Sequence, residues 1–480
     1  MKPLVALFTL FFLLAGASAA EKPNIIFILA DDLGYTDMGC YGSKYYETPN
    51  IDRLAREGMR FTSGYTTGPN CQPTRAALMT GQYGPRTGVY TVGNIERFNW
   101  RTRPLRPVQN ISELPLDRTI VPQSLKQAGY KTAMFGKWHL GNNGPHHPGQ
   151  RGFDEAIESS GKHFNFETFP QTDYPEGTYL ADFLTDKATD FIRRHKDEPF
   201  FLYLPHFGVH SPFQAKKELI EKFKKKQAVG GHHDPVYAAM IASVDESVGR
   251  ILTLLDELKL TQNTVVIFSS DNGGVGGYVS EGIKQGKDLT DNSPLRGGKG
   301  MLYEGGIRVP YIFRWPNKIA PNTTCDEPIT SVDFYPTILE ISGGKRPGKQ
   351  ILDGMSYTKL LTSKNGKETL KRDALYWHFP GALGATDDKW RTLPVGVIRS
   401  GDWKLMEFFE DGRLELYNLR DDIGERNNLA TANPRKTKEL QQKLHQWRKD
   451  IKAPMPTPNT PSDKKDEAPS KRNKKQDNAV

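Results

Sequence analysis

The chain has 480 residues, 37% of them hydrophobic, enough to bury a substantial core and too many for one small domain. Its 65 Lys and Arg outweigh 56 Asp and Glu to give a net charge of +9; the excess suits an anionic ligand, while the lack of a basic helix with interleaved aromatics argues against nucleic acid. Three cysteines are too few for a disulfide framework, although Cys40 and Cys325 could pair.

Residues 1–20 read as a cleavable export signal: Lys2, an apolar run over 4–14, then small Ala17-Ser18-Ala19-Ala20. The run is too short to span a membrane and no later segment replaces it, so the mature protein is expected to be periplasmic or secreted. Residues 24–30 are continuously apolar and end in Asp31-Asp32, the pattern of a strand buried on both faces. A helix is predicted over 50–58, and the stretch 94–116 is irregular and rich in arginine. A helix over 181–195 precedes a second apolar run at 199–205, which ends near His206. The helix predicted over 234–258 precedes a third run at 264–270, ending in Asp271-Asn272; a fourth strand is predicted over 311–315. Such alternation predicts an α/β fold with a large, mostly parallel central sheet flanked by helices, here assigned to residues 22–345. Ligands bind such sheets beyond the carboxyl ends of the strands, where these polar residues cluster. Shorter strands predicted over 374–379, 395–399, 403–407 and 414–418, with a helix over 434–451, describe a smaller C-terminal subdomain, 346–452, with an antiparallel sheet. Residues 453–480, rich in Pro, Lys, Asp and Ser, are expected to be disordered.

Adjacent Asp31 and Asp32 either cap a turn or share a hard divalent cation that relieves their repulsion. Asp271 and Asn272, followed by Gly273-Gly274, offer two more oxygens at another strand end. The four ligands favour calcium, with magnesium as the second choice, and no cluster at zinc spacing competes. Cys71-Gln72-Pro73-Thr74-Arg75 leads into an apolar helix for which Pro73 is a good first residue. Cys71 is thus either a small buried hydrophobe or a nucleophile at a helix N-terminus, where backbone N–H groups favour an anion. Lys137 and His139 are two residues apart and point the same way if the segment is extended; a lysine could neutralise an anion while the histidine moves a proton. His206 and His210 have helical spacing, but Gly208 and Pro212 argue against a helical zinc pair. Lys299 lies in a glycine-punctuated loop.

Residues 23–34, the Cys71 motif, Gly136-Lys137-Trp138-His139, His210-Ser211-Pro212, Ser270 to Gly274 and the Glu-Gly-Gly-Ile-Arg-Val-Pro block at 304–310 together resemble the type I, formylglycine-dependent sulfatases, in family order. The likeness is to bacterial exported members of the alkaline-phosphatase-like superfamily, and segments 401–404 and 416–422 resemble their C-terminal subdomain. The resemblance implies a sulfuric ester hydrolase whose Cys71 is oxidised to formylglycine by a formylglycine-generating or sulfatase-maturating enzyme. It implies that Asp31, Asp32, Asp271 and Asn272, together with residue 71, hold one calcium ion, and that the hydrated aldehyde attacks sulfur. His210 and Lys299 match the groups that bind the bridging oxygen and protonate the leaving alcohol. His139 matches the base that then helps expel sulfate, and Arg75 and Lys137 match the charge-neutralising pair. His206 has no clear counterpart and is either a substrate contact or structural; Gln82 stands where an arginine is frequent. The expected substrate is a sulfated carbohydrate. Phosphomonoester or phosphonate hydrolysis is the alternative on the same fold, and a non-catalytic glycan-binding relative the remote one. Loops 94–116, 142–178 and 275–295 are expected to choose the sugar, with Arg101, Arg103, His146, His147 and His163 as candidate contacts.

Overall fold

A computed structural model describes residues 22–363, 368–385 and 389–460; the expected export signal and residues 461–480 of the expected disordered tail lie outside them. The large sheet has eight strands: β1 (Asn24–Ala30), β2 (Met59–Phe61), β3 (Lys131–Gly136), β4 (Glu155–Glu158), β5 (Phe200–Pro205), β6 (Thr264–Ser270), β7 (Tyr311–Arg314) and β8 (Thr323–Cys325). Their order is β8-β2-β7-β6-β1-β5-β3-β4. The block from β6 through β4 is parallel. β7 runs antiparallel to both neighbours, so the sheet is mixed but mostly parallel.

β1 shows why the sequence reads as a doubly buried strand. Ile26, Ile28 and Ala30 enter one core cluster, while Ile25, Phe27 and Leu29 enter the other, as the two-residue alternation of a strand requires. One face is covered by α1 (Pro49–Arg56) and the long α4 (Leu180–Arg194) and α5 (Pro235–Glu257); the other by α2 (Cys71–Thr80), α3 (Val121–Gln127) and α6 (Phe334–Ser342). α2 ends at Gly81, whose φ of 68° closes it in the left-handed conformation that glycine adopts without strain. No helix among the described residues is long and apolar enough to cross a membrane.

The second unit is a four-stranded antiparallel sheet of β9 (Leu375–Phe379), β10 (Val395–Ser400), β11 (Trp403–Phe408) and β12 (Leu414–Asn418), in that order, with α7 (Pro434–Asp450) packed on it. Two boundaries differ from the sequence reading. Tyr357, Leu360 and Leu361 still pack in the core of the large sheet, so the chain leaves the first unit later than residue 345. The first part of the expected tail is ordered: Thr457–Pro458 pairs antiparallel with Leu105–Arg106. Composition predicts solvation there, but the backbone hydrogen bonds of a neighbouring loop supply partners.

Candidate active site

Four adjacent parallel strands release their polar residues at one edge. Asp31 and Asp32 follow β1, Asp271 and Asn272 follow β6, Lys137 follows β3, and His210 lies in the loop after β5. Backbone bonds beyond the strand ends pin these turns: Val209 N donates to Asp31 O at 2.7 Å, Asp271 N to Ala30 O at 3.1 Å and Lys137 N to Pro205 O at 2.8 Å. Asp32 has a φ of 65°, a left-handed conformation that Asp tolerates better than most residues.

Asp31, Asp32 and Asp271 are all buried and would repel one another. Each is met by a cation: Lys137 Nζ lies 2.5 Å from Asp31 Oδ2, Lys299 Nζ 2.7 Å from Asp32 Oδ2, and Arg75 Nη2 2.7 Å from Asp271 Oδ2. Arg75 also reaches 3.5 Å from Asp31 Oδ2 and donates to the Lys137 carbonyl. Burial pushes the Asp31 carboxyl up, but Lys137 and His210 outweigh it and hold it below the usual range. Asp32 is depressed in the same way, burial being overcome by Lys299 and His210. Asp271 goes the other way, pushed up to about 7 by burial and by the charge of Asp31.

Ligand atoms of Asp31, Cys71 and Asp271 lie within 4.8 Å of one another, as do those of Asp31, Asp32 and His210. Asn272 Nδ2 donates to Asp32 Oδ1 at 2.8 Å, while Asn272 Oδ1 and Asp31 Oδ1 are buried without a hydrogen-bond donor. Buried oxygens are rarely left so. Three carboxylates and an amide oxygen, with unsatisfied oxygens among them, fit a hard divalent cation.

Cys71 is the first residue of α2, behind an extended Asn70, and its side chain is enclosed. The N–H groups of that first turn have no partners within the helix and favour an anion. Burial raises the Cys71 thiol above its ordinary pKa, so the unmodified side chain is not an activated thiolate.

The open side carries His210, Lys299 and His139. The His210 and Lys299 side chains each retain 16% of their exposure, and His139 is half-buried. His210 Nδ1 donates to the Ser211 carbonyl at 2.6 Å, which turns Nε2 toward Asp32 Oδ2 at 3.7 Å. Burial, reinforced by Lys299, lowers His210 to about 4. Burial and Lys137 hold His139 well below its usual value, and its Nδ1 has no partner.

Several sequence expectations need correction. Lys137 and His139 are not on an extended segment: β3 stops at Gly136, and His139 has a φ of 62°. His206 is not a substrate contact. It continues the alternation of β5 onto the face that carries Leu202 and Leu204, where its Nε2 meets Ser247 Oγ of α5 at 2.9 Å. Arg103 is paired with Glu410 and Arg101 with Glu96. His146 and His147 contact the carbonyls of Leu114 and Phe169. His163 bonds the His210 carbonyl at 2.7 Å and stacks on Phe207, so it positions the His210 loop. Gln82 donates to the Ile351 carbonyl. Tyr278, which donates to the Lys299 carbonyl at 2.8 Å, was not picked out from sequence; its place in the variable loop 275–295 was the only signal.

The family model "Sulfatase" matches residues 23–344, and "N-sulphoglucosamine sulphohydrolase, C-terminal" matches 298–453. A protein described as a sulfatase from Formosa agariphila is 37% identical, covering 87% of this chain and 86% of its own length. The N-acetylgalactosamine-6-sulfatase of Canis lupus familiaris is 32% identical over 83% of this chain and 75% of its own. Among solved structures, Ps i-CgsB in complex with k-i-k-neocarrahexaose superposes with a TM-score of 0.74 at 31% identity, covering 89% of this chain and 93% of that one. Site, fold and relatives agree: the chain belongs to the sulfatase family, in the alkaline-phosphatase-like superfamily, and is a sulfuric ester hydrolase.

Proposed function

We propose that this sulfatase removes sulfate from a sulfated carbohydrate, using a formylglycine made from Cys71 and one calcium ion, after export to the periplasm or beyond the cell. The observation that carries the nucleophile is the meeting of Cys71 with Asp31 and Asp271 at the buried N-terminus of α2, where a thiol alone is poorly reactive. A hydrated formylglycine supplies one hydroxyl to attack sulfur and a second whose deprotonation releases the product. Asp31, Asp32, Asp271 and Asn272 would hold the calcium, which supplies positive charge to sulfate and to residue 71. Lys137 and Arg75 add charge close to the same point. His210 and Lys299, on the open side, bind the bridging oxygen and return a proton to the leaving alcohol. His139, kept neutral by burial and Lys137, is in the form a base requires. The names of the N-acetylgalactosamine-6-sulfatase relatives and the neocarrahexaose complex support a carbohydrate substrate.

The test is a screen of defined sulfated mono- and disaccharides against matched phosphate esters, on protein matured in its native host. Mass spectrometry of the peptide containing residue 71, and of the mature N-terminus, accompanies it. Sulfate release, an aldehyde at residue 71 and loss of the leader are expected. Stripping with a calcium chelator lowers activity, and calcium restores it. Active enzyme with an unmodified thiol would sink the nucleophile assignment, and dominant phosphate turnover would sink the substrate class.

A further inference from the structure

The small unit touches the loop that carries Lys299. Gly300 has a φ of 89°, and a Cβ there would lie 2.8 Å from Arg391 Cδ. Its carbonyl accepts from Thr392 Oγ1. Arg391 belongs to the short strand Trp390–Thr392, which pairs with Leu383–Gly384. Its guanidinium carbon stands 4.7 Å from the ring centre of Tyr278, the residue whose hydroxyl donates to the Lys299 carbonyl. Arg391 therefore packs against Gly300, the residue next to Lys299, and against Tyr278, which holds the Lys299 carbonyl.

Nearby arginines are neutralised. Arg103 pairs with Glu410, and Arg296 with Glu281 at 2.8 Å. Arg391 is half-buried, its Nε is enclosed without a hydrogen-bond partner, and no described carboxylate pairs with it. A guanidinium partly removed from water is costly unless its donors are used. Its planar fork matches the geometry of carboxylate and sulfate oxygens.

We propose that Arg391 is a specificity-determining residue that binds a second oxyanion, a carboxylate or another sulfate, on the alcohol portion of the substrate. The assignment rests on the reading that Lys299 and His210 face the leaving alcohol. The Tyr278 ring lies against the guanidinium, and the Gly300 turn lets Arg391 lie beside the loop that carries Lys299.

Pairs of aryl sulfates that differ only by a ring carboxylate or a second sulfate test this, beside sulfated disaccharides with and without a second anion. Matured wild type, Arg391→Met and Arg391→Lys are compared. The ratio of kcat/KM for the doubly over the singly charged probe is expected to fall roughly ten- to a hundredfold in R391M. The loss should be carried by KM and partly recovered in R391K. The carboxylate and sulfate arms identify which oxyanion is preferred. An unchanged ratio in R391M, with or without a general loss of activity, overturns the proposal. If no saccharide is cleaved while the aryl ratio still depends on Arg391, the carbohydrate reading fails and the Arg391 assignment stands.

Discussion

Lys404 is fully enclosed between two carboxylates, with Nζ 3.0 Å from Glu304 Oε1 and 2.7 Å from Glu425 Oε1. Glu304 also accepts from the Tyr65 hydroxyl at 2.6 Å, so a single charge ties the small sheet to the large unit. Burial raises the Glu304 carboxyl, but Lys404 and Arg308 pull it down to about 2, whereas burial carries Glu425 up to about 7 against Lys404. Removing the lysine leaves two facing carboxylates in a dry site. Lys404→Met is therefore expected to cost about 3–5 kcal/mol, read as a lower urea midpoint; a loss below about 1 kcal/mol would contradict a buried ion triad. Both Glu304 and Lys404 lie in segments that resemble the family, yet their meeting across a hundred residues of chain is visible only in the fold. Asp31, Asp32, Asp271, Asn272 and Cys71, which the fold brings to one edge of the sheet, could be picked out as candidates because each follows a long apolar strand or opens a helix. His206 was left open between a substrate contact and a structural role, although the signal that favours the second was present. Counting by twos from Leu202 puts it on the face of β5 that packs against α5.

At the scale of elements, long apolar runs announced β1, β5 and β6, and amphipathic spacing announced α4 and α5. The mixed run Lys131–Gly136 and the half-buried edge strand Glu155–Glu158 carry neither signal, so they were missed. Direction was not legible either: nothing local in Tyr311–Arg314 says that it runs antiparallel. The C-terminal strap was hidden by its composition. Beyond the pairing of Thr457–Pro458 with Leu105–Arg106, Asn459 Nδ2 donates to the carbonyls of Arg101 and Arg103 at 3.1 and 3.0 Å. His378 meets the Pro454 carbonyl at 2.7 Å. These bonds fasten the loop containing Arg103, which stacks on Trp390 beside Arg391. Asn459→Ala is expected to raise amide exchange over residues 101–106 by roughly tenfold while changing global stability by less than about 1.5 kcal/mol. Unaltered exchange there would mean that the strap does not hold the loop.

At the scale of the whole molecule, His163 beneath the His210 loop, His206 in the main core and His378 on the small sheet are buried in different layers. Burial lowers each to about 4. An unfolded histidine titrates near ~6.5, so between these values the unfolded chain binds protons that the folded chain refuses. Stability must fall as pH drops through that window, by up to about 1.4 kcal/mol per pH unit for each histidine. Burial also raises Glu158 to about 7 and Asp245 to about 6. These carboxylates work in the opposite sense, since the folded state then holds the extra proton and loses stability as pH rises. His378 gives the cleanest check because it lies on the small sheet, away from the carboxylate cluster. In His378→Asn the melting temperature should be lower than wild type at pH 7, and the gap should narrow steadily toward pH 4.5. A gap that stays constant with pH would show that His378 does not stay neutral in the folded protein over that range.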